Sequence, residues 1–278
     1  MRIAVIAVTI AVLAQQATAA DAPFPVLRGT QTYEIAPPPV FRWEGVYGGV
    51  QVGGNSAHVN FEDATKSIVG FALRQSTLEA EHRISEWPVL SGEHTRSASF
   101  GGFMGYNTQF ENVVLGIEGN YNHTAFSTSQ ADSLTRVVTT ADGIAYTTRV
   151  TASALMSIKD YATLRGRAGW AIGPFLPYAM IGFAFGTADI TRTAIVDGVA
   201  QPPTVDPNPP PPPFAFGPWG STESKTAYIY GYSAGGGLDF ALTQNIFIRG
   251  EYEYVNFSPT MGIRASINSA RVGAGLKF

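Results

Sequence analysis

The side chains with catalytic potential in this sequence centre on four histidines, which are His58, His82, His94 and His123. His58 and His123 lie near the ends of two alternating segments, with Ser56, Glu62 and Ser127 close to them in sequence. A histidine that deprotonates a serine and is oriented by a carboxylate can transfer acyl groups. A lipid-modifying site is therefore one hypothesis. The other two histidines fall in a long predicted loop, where solvated side chains are expected.

Other chemistry has weaker support. Four scattered histidines without carboxylates at metal-ligand spacing make no recognisable metal site, and the absence of cysteine excludes thiolate ligands, disulfides and a lipoprotein anchor. The triplet Gly235–Gly237 would suit a phosphate loop, but no helix is predicted after it and no lysine stands at the required offset. Close packing of glycine within a strand is the better interpretation. We expect no cofactor and no bound metal.

The elements that would position these residues are eight segments of roughly ten residues that alternate apolar with small or polar side chains. This pattern is the signature of a transmembrane β-strand. The predicted strands are Glu44–Asn55, Ser99–Gln109, Val113–His123, Lys159–Ala171, Pro177–Ile190, Ala227–Leu242, Asn245–Phe257 and Ser266–Phe278.

The connections between these segments alternate between long and short. The predicted long loops are Ser56–Ala98, Thr124–Ile158, Thr191–Thr226 and Ser258–Ala265. The predicted short connections are Phe110–Asn112, Ile172–Phe175 and Thr243–Gln244. Outer-membrane barrels have short periplasmic turns and long extracellular loops. The sequence therefore predicts an all-β fold, an eight-stranded antiparallel transmembrane β-barrel with this arrangement of connections.

Charged residues in the predicted strands share one face. In the seventh segment, Arg249, Glu251 and Glu253 alternate with apolar residues such as Ile248 and Tyr252. An eight-stranded barrel is filled by its interior side chains, and buried charges persist only when they are paired. We therefore predict a mixed-sign cluster inside the barrel, formed by Glu118, Arg165, Arg167, Asp239, Arg249, Glu251, Glu253, Arg271 and Lys277.

The N-terminal residues predict export. A basic start at Arg2 precedes the apolar run Ile3–Leu13, and Ala17–Ala19 fits a small-residue cleavage site. We predict a signal peptide over residues 1–19, a proline-rich periplasmic segment over 20–42 and the barrel over 43–278. The formal net charge of -3 gives no basic footprint for nucleic acid.

The last predicted strand ends on an aromatic residue. A sheet embedded in lipid cannot leave an edge unsatisfied, so the last strand must pair with the first. The alternation places Leu276 and Phe278 on the lipid-facing side, with Phe278 at the periplasmic rim. We expect no peptidoglycan-binding domain after it. In the third loop, Asp206–Pro213 predicts a stiff polyproline spacer, with a ligand for a proline-binding domain as the alternative.

Several motifs together resemble the small outer-membrane β-barrel family of opacity-type porins and outer-membrane immunogenic proteins, which have an OmpA-like transmembrane barrel. They are FRWEGVYGGVQVGGN, GGFMGYN, YATLRGRAGWA, GGGLDFAL, IFIRGEYEYVNF and RVGAGLKF. The resemblance covers all eight predicted strands, from Arg42 to Phe278. It implies an abundant surface antigen of the Gram-negative outer membrane, in contact with outer-membrane lipids and lipopolysaccharide. It also implies that the barrel-assembly machinery reads the terminal aromatic.

The predicted function is structural. We expect an outer-membrane protein that supports envelope integrity and makes host or surface contacts, with no catalysis and an unidentified surface ligand. The alternative is a narrow porin-like pore for small solutes, and a lipid-modifying barrel enzyme is the third possibility. The first two classes differ in conductance across a lipid bilayer, whereas an enzyme would change the lipids around it.

Overall fold

Eight antiparallel strands form a closed barrel in the computed structural model, which describes residues 41–204 and 211–278. The predicted signal peptide and most of the proline-rich segment lie outside the described residues, as does most of Asp206–Pro213. The strands are β1 (Gly45–Asn60), β2 (Gly92–Phe110), β3 (Val113–Thr139), β4 (Ala145–Trp170), β5 (Phe175–Gln201), β6 (Phe214–Ala241), β7 (Ile246–Thr260) and β8 (Ile263–Lys277).

Pairing between β1 and β8 closes the ring. The two strands run antiparallel from Tyr47 opposite Lys277 to Asn60 opposite Arg264, and the Phe278 amide donates to the Val46 carbonyl at 2.9 Å. Closure satisfies the backbone groups of both strands, as a sheet in hydrocarbon requires. The predicted eight-stranded antiparallel barrel is confirmed.

The two ends of the barrel differ in the length of their connections. Residues 111–112, 171–174 and 242–245 join strands at one end, which we call the turn end. At the opposite, projecting end, the chain between β1 and β2 forms α1 (Lys66–Ala72), α2 (Thr77–His82) and the 3₁₀ turn Ile84–Glu86. No helix in the described part of the chain is long and apolar enough to cross a membrane.

The outer wall of the barrel is apolar above the turn end. Met104, Ile117 and Ile181 point outward and are 69%, 65% and 71% exposed. Aromatic residues, among them Phe110, Trp170 and Phe278, border this wall near the turn end. A continuous apolar surface of this kind is stable in lipid and would drive aggregation in water. We call it the lipid-facing belt.

Four strands are much longer than the sequence predicts. The predicted loops Thr124–Ile158 and Thr191–Thr226 are mostly strand, because β3 to β6 continue past the belt as a four-stranded projecting sheet. The predicted loop Ser258–Ala265 is also wrong, because β7 and β8 are joined by a tight turn at Met261 and Gly262. The outward side chains beyond the belt are mainly Ser and Thr, so they lack the apolar alternation of a membrane strand.

The inner face of the projecting sheet packs against α1 and α2. Ser76 caps the N-terminus of α2 by accepting a hydrogen bond from the Leu78 amide at 3.2 Å. The resulting apolar cluster, which we call the upper core, includes Phe61, Ile68, Leu73, Leu78, Ile84, Leu90, Phe126, Met156, Ile158 and Ile190. The predicted loop Ser56–Ala98 is therefore a folded cap on the barrel, together with the ends of β1 and β2.

Candidate functional site

Eight of the nine predicted cluster residues have their side chains buried inside the barrel. We call them the charge network: Glu118, Arg165, Arg167, Asp239, Arg249, Glu251, Glu253 and Arg271. The network contains four guanidinium and four carboxylate groups, so its formal charges cancel. Each member is no more than 5% exposed. Balance of this kind is required because an unpaired buried charge is strongly destabilising.

Strand register brings opposite charges together on adjacent strands. Glu118 on β3 is directly opposite Arg165 on β4. Asp239 on β6 is opposite Arg249 on β7, and Glu251 on β7 is opposite Arg271 on β8. Directly opposed side chains on one face of an antiparallel pair are close enough to interact. Three local pairs are therefore built into the sheet.

Arg165 then links two walls of the barrel. Its Nη2 atom donates to Glu118 Oε1 at 2.5 Å and to Glu251 Oε2 at 2.8 Å. Its Nη1 atom reaches Glu253 Oε1 at 3.1 Å. Because Glu251 and Glu253 lie on β7, across the lumen from β4, one guanidinium holds opposite sides of the barrel together.

A second crossing is made by Arg167 and Arg249, which share Glu118 and Asp239. Arg167 Nη2 donates to Asp239 Oδ2 at 2.7 Å, and Arg249 Nη1 donates to Glu118 Oε2 at 2.8 Å. Both guanidinium groups also lie over aromatic rings. Arg167 is 3.9 Å from the ring centre of Tyr178. These cation–π contacts help to stabilise guanidinium groups that have lost their hydrating water.

Tyrosine hydroxyls add further donors to two of the carboxylates. Tyr47 donates to Glu118 Oε2 at 2.7 Å, and Tyr178 donates to Glu251 Oε2 at 2.9 Å. Arg271 bonds to Glu251 Oε1 at 2.7 Å and also contacts Glu253. Carboxylates with several donors are far better stabilised than single ion pairs.

Packed layers lie on both sides of the charge network. Toward the turn end, an aromatic floor contains Trp43, Tyr47, Phe103, Leu176 and Phe247. Toward the projecting end, the amide of Gln51 donates to Asn120 at 3.0 Å and to Asn122 at 2.8 Å. The upper core and its helical cap follow beyond these amides. The described interior is thus filled from end to end by side chains.

Lys277 does not belong to the charge network, and its predicted place there is wrong. It lies at the turn-end rim, where its Nζ donates to the Arg42 carbonyl and sits 4.8 Å from the ring centre of Phe41. Its inward parity is as predicted, but β8 reaches the rim there, so the side chain meets the N-terminal approach to β1. Leu276 and Phe278 point outward and are 51% and 79% exposed.

The histidines do not assemble with the hydroxyls near them in sequence. His58 stacks on His94 with ring centres 4.3 Å apart, whereas His123 Nδ1 lies 2.7 Å from Asp160 Oδ1. His123 is opposite Phe100, and Phe100 is opposite Val52, six residues from His58 along β1. Hydrogen bonds between these two histidines and Ser56, Glu62 or Ser127 are absent from the described residues. The glycine triplet lies in β6, where a Cβ at Gly237 would be 2.5 Å from the Tyr178 hydroxyl.

The family comparison decides the identity of the fold. The profile described as outer membrane protein beta-barrel domain matches residues 5–278. The chain belongs to this family. Because short turns of outer-membrane barrels face the periplasm, the turn end of this outer-membrane barrel is periplasmic and the projecting end is extracellular.

Two relatives of this outer-membrane barrel come from other Gram-negative bacteria. The chain is 24% identical over 180 residues to the 25 kDa outer-membrane immunogenic protein of Brucella ovis, covering 64% of this chain and 62% of that protein. It is 25% identical over 197 residues to the 22 kDa outer membrane protein of Rhizobium leguminosarum bv. viciae, covering 67% and 70%. The chain thus spans less than two thirds of the Brucella protein. These matches confirm the predicted family and the outer-membrane location.

A solved structure shows a distant likeness. The chain is 14% identical to Ail, the attachment invasion locus protein of Yersinia pestis, with a TM-score of 0.35 over 84% of this chain and 99% of that chain.

Sequence reasoning missed the aromatic residues that line the interior. Tyr47, Phe103 and Phe247 were not among the predicted interior residues, yet all three are buried in the aromatic floor. Strand parity contains the signal, since Phe247 alternates in phase with Arg249 and Glu251. Aromatic rings are large enough to close the tapered end of a small barrel.

A second missed residue is Arg192 on β5, which ties three segments of this outer-membrane barrel together. Its Nη1 atom donates to the Ala64 carbonyl at 2.8 Å and to the Met261 carbonyl at 2.7 Å. Its Nη2 atom bonds to Glu223 on β6 at 2.5 Å. Arg192 therefore fastens the helical cap to the projecting sheet and to the β7–β8 turn.

Proposed function

We propose that this outer-membrane barrel supports the envelope mechanically and makes contacts at the cell surface through its cap and projecting sheet, without catalysing a reaction. One observation carries the proposal: the described interior is filled by side chains, whereas four strands continue well beyond the belt. Surfaces available to partners are therefore on the outside. Loops and projections held by a rigid scaffold commonly carry function.

The filled interior favours a structural role over the narrow pore. A solute that crossed the membrane through the barrel would have to pass the aromatic floor, the charge network, the amides of Gln51, Asn120 and Asn122, and the upper core in turn. Removing one partner of a buried ion pair typically costs about 3–5 kcal/mol. The network links several strands, so opening a path would break several such contacts at once.

The placement of the histidines favours the same proposal over a lipid-modifying enzyme. A nucleophile and its base must be within hydrogen-bond reach of each other. His58 stacks on another histidine and His123 contacts a carboxylate, and neither of them hydrogen-bonds to a hydroxyl in the described structure.

The partners implied by this role are the surrounding lipids and lipopolysaccharide, which the exposed belt residues would contact. Assembly would involve the barrel-assembly machinery, with Leu276 and Phe278 on the outer wall of β8 as the residues that it reads. A surface ligand would meet the cap or the projecting sheet. The proposal does not require any cofactor.

Surface presentation can be tested by cysteine labelling on intact cells, because the chain has no cysteine of its own. Ala141→Cys lies in the turn between β3 and β4, and Gln244→Cys lies in a turn of the opposite end. A membrane-impermeant maleimide should label Ala141→Cys on intact cells and Gln244→Cys only after permeabilisation. A strain without the gene should leak periplasmic enzyme, and the wild-type gene should reverse the leakage. Labelling of Gln244→Cys on intact cells, or no leakage of periplasmic enzyme from the strain without the gene, would contradict the proposal.

A further inference from the structure

The outward face of the projecting sheet has an unusual composition. Its outward positions on β3, β4, β5 and β6 carry small hydroxyl side chains at most places, separated by a few aliphatic residues. We call this surface the hydroxyl face: Ser127, Ser129, Ser133, Thr135, Thr147, Thr151, Ser153, Ser157, Thr191, Thr193, Thr222, Ser224 and Thr226. None of these residues is buried, and several bond across strands, as Thr193 does to Thr222 at 2.9 Å.

The hydroxyl face is almost free of charge. Exposed sheets in water usually carry lysine and glutamate, which keep them soluble and prevent association. Arg149 and Asp197 are the charged side chains within this face of the described sheet, and they pair at 2.8 Å. The face therefore has a composition suited to a neutral, polar neighbour.

Charges are concentrated instead in one band between the hydroxyl face and the lipid-facing belt. We call His123, Lys159, Asp160 and Asp189 the charged band. His123 contacts Asp160 at 2.7 Å, and Lys159 contacts Asp189 at 3.5 Å. Below it, Tyr121 donates to Asp160 at 2.6 Å from the outer edge of the belt.

These three surfaces lie on one continuous outer wall. β3 to β6 run from the belt into the projecting sheet, and β4 has one extra residue relative to β5, Lys159, at the charged band. The wall thus changes from apolar, to charged, to hydroxyl-rich along the membrane normal. An outer-leaflet glycolipid changes in the same order, from acyl chains, to phosphates, to sugars.

We propose that the hydroxyl face binds the saccharide portion of neighbouring outer-leaflet glycolipids. The inference rests on the proposed surface role and names one partner for it. Continuity with the lipid-facing belt is the argument for this occupant, because lipid that packs against the belt carries its sugars past the hydroxyl face. Each Ser or Thr hydroxyl both donates and accepts a hydrogen bond, as sugar hydroxyls do. Such pairing avoids the desolvation of unpaired charge.

Cysteine accessibility tests this contact directly. Ser153→Cys and Thr193→Cys lie on the hydroxyl face, and Ser67→Cys on the exposed side of α1 is the matched control. Each variant is reconstituted in phosphatidylethanolamine vesicles that contain no glycolipid, lipid A alone, or lipid A with its core oligosaccharide. We expect a soluble maleimide to label the two face positions several-fold more slowly in vesicles that contain the core oligosaccharide than in the other two kinds of vesicle. Ser67→Cys should react at the same rate in all three.

A second set of variants separates recognition from crowding. Thr151→Val, Thr191→Val and Thr222→Val together remove hydroxyls without changing side-chain shape, and strands accept valine well. The corresponding Thr→Ser triple variant keeps the hydroxyls. In the Ser153→Cys background, the valine variant should lose most of the protection and the serine variant should retain it, with heat-modified gel mobility reporting the folded barrel for both.

Three outcomes would overturn the inference. They are equal labelling of the face in all vesicles, equal protection by lipid A alone, and protection that survives the valine substitutions. The first would mean no contact, the second contact with phosphate or packed headgroups, and the third crowding without recognition. Each leaves the proposed surface role intact, since that role is judged by labelling of Ala141→Cys and Gln244→Cys on cells.

Discussion

Asp239 and Arg249 face each other across β6 and β7, and their side chains meet through two parallel hydrogen bonds. Arg249 Nε lies 2.8 Å from Asp239 Oδ1, and Nη2 lies 3.1 Å from Oδ2. This two-pronged geometry is the strong form of a charge-assisted pair. The same guanidinium also reaches Glu118 on β3, so a cross-strand pair is extended into a contact across the lumen.

Replacement of Arg249 by leucine should destabilise the barrel severely. The change removes two hydrogen bonds from Asp239 and one from Glu118 in a site that is closed to water, and it leaves three guanidinium groups against four carboxylates. Breaking a buried pair in this way typically lowers the free energy of unfolding by about 3–5 kcal/mol. The urea midpoint in detergent micelles and the temperature of heat-modified gel mobility should both fall.

Arg264→Leu is the matched control, because Arg264 is exposed and its pair with Asp63 spans 3.3 Å. Exposed ion pairs contribute little, so the free energy of unfolding should stay within about 0.5 kcal/mol of the wild type. Equal effects of the two leucine variants would show that the side chain of Arg249 is solvated.

The network residues were predictable because strand parity and burial both follow from the sequence. Arg165 and Arg167 are two residues apart, so a strand must put them on the same side. Which carboxylate pairs with which arginine was not predictable, since the pairing depends on the register between strands far apart in the chain. Glu118 and Arg249, for example, meet across 131 residues.

The projecting sheet was missed for a different reason. Phe126, Met156 and Ile190 alternate with polar residues, which is the pattern of a half-buried strand in water. Their partners in the cap, such as Ile68 and Leu78, lie in a segment with no strand periodicity. Recognising the sheet would have required knowing that the cap folds back over it, which is a tertiary contact.

Replacement of Arg192 by methionine should loosen the cap and leave the barrel in place. Methionine keeps much of the side-chain volume but cannot donate to the carbonyls of Ala64 and Met261 or pair with Glu223. Proteinase K applied to intact cells should cut residues 61–91 faster, as mapped by mass spectrometry. Heat-modified mobility should still show a folded barrel.

Arg83→Met serves as the comparison for Arg192→Met. Arg83 is 73% exposed and pairs with Glu86 at 3.7 Å. Its replacement should leave the cleavage rate of the cap near the wild-type value. Identical cleavage patterns in the Arg192 and Arg83 variants would show that the cap does not depend on the Arg192 contacts.

Loss of His58 or His123 should not affect the membrane lipids. Neither side chain hydrogen-bonds to a hydroxyl in the described structure, so His58→Ala and His123→Ala should leave lipid A and phospholipid acylation unchanged in cells. Mass spectrometry of extracted lipids is the measurement, with a strain that lacks the whole gene as reference. An acylation product that is present in the wild type and absent in either variant would reveal an enzyme.

Deletion of Phe278 should lower the yield of folded barrel in the outer membrane. The Phe278 ring is 79% exposed on the outer wall, and its amide closes the pairing with β1 at Val46. Phe278→Tyr should be tolerated, since an aromatic ring with a polar tip suits a membrane interface. Fractionation should find the truncated chain accumulating in the periplasm, and normal membrane recovery of that chain would argue against a role for Phe278 in assembly.

Single-molecule conductance in planar lipid bilayers tests the central claim most directly. Heat-modified gel mobility first verifies that the purified barrel is folded. The barrel is then inserted into the bilayer, and the current is recorded under an applied voltage in concentrated salt. Because the aromatic floor, the charge network and the upper core fill the described interior, we predict no steady conductance from the wild type. Steady, ion-selective openings whose selectivity changes when Arg249 or Glu251 is replaced would contradict this account and identify the protein as a pore.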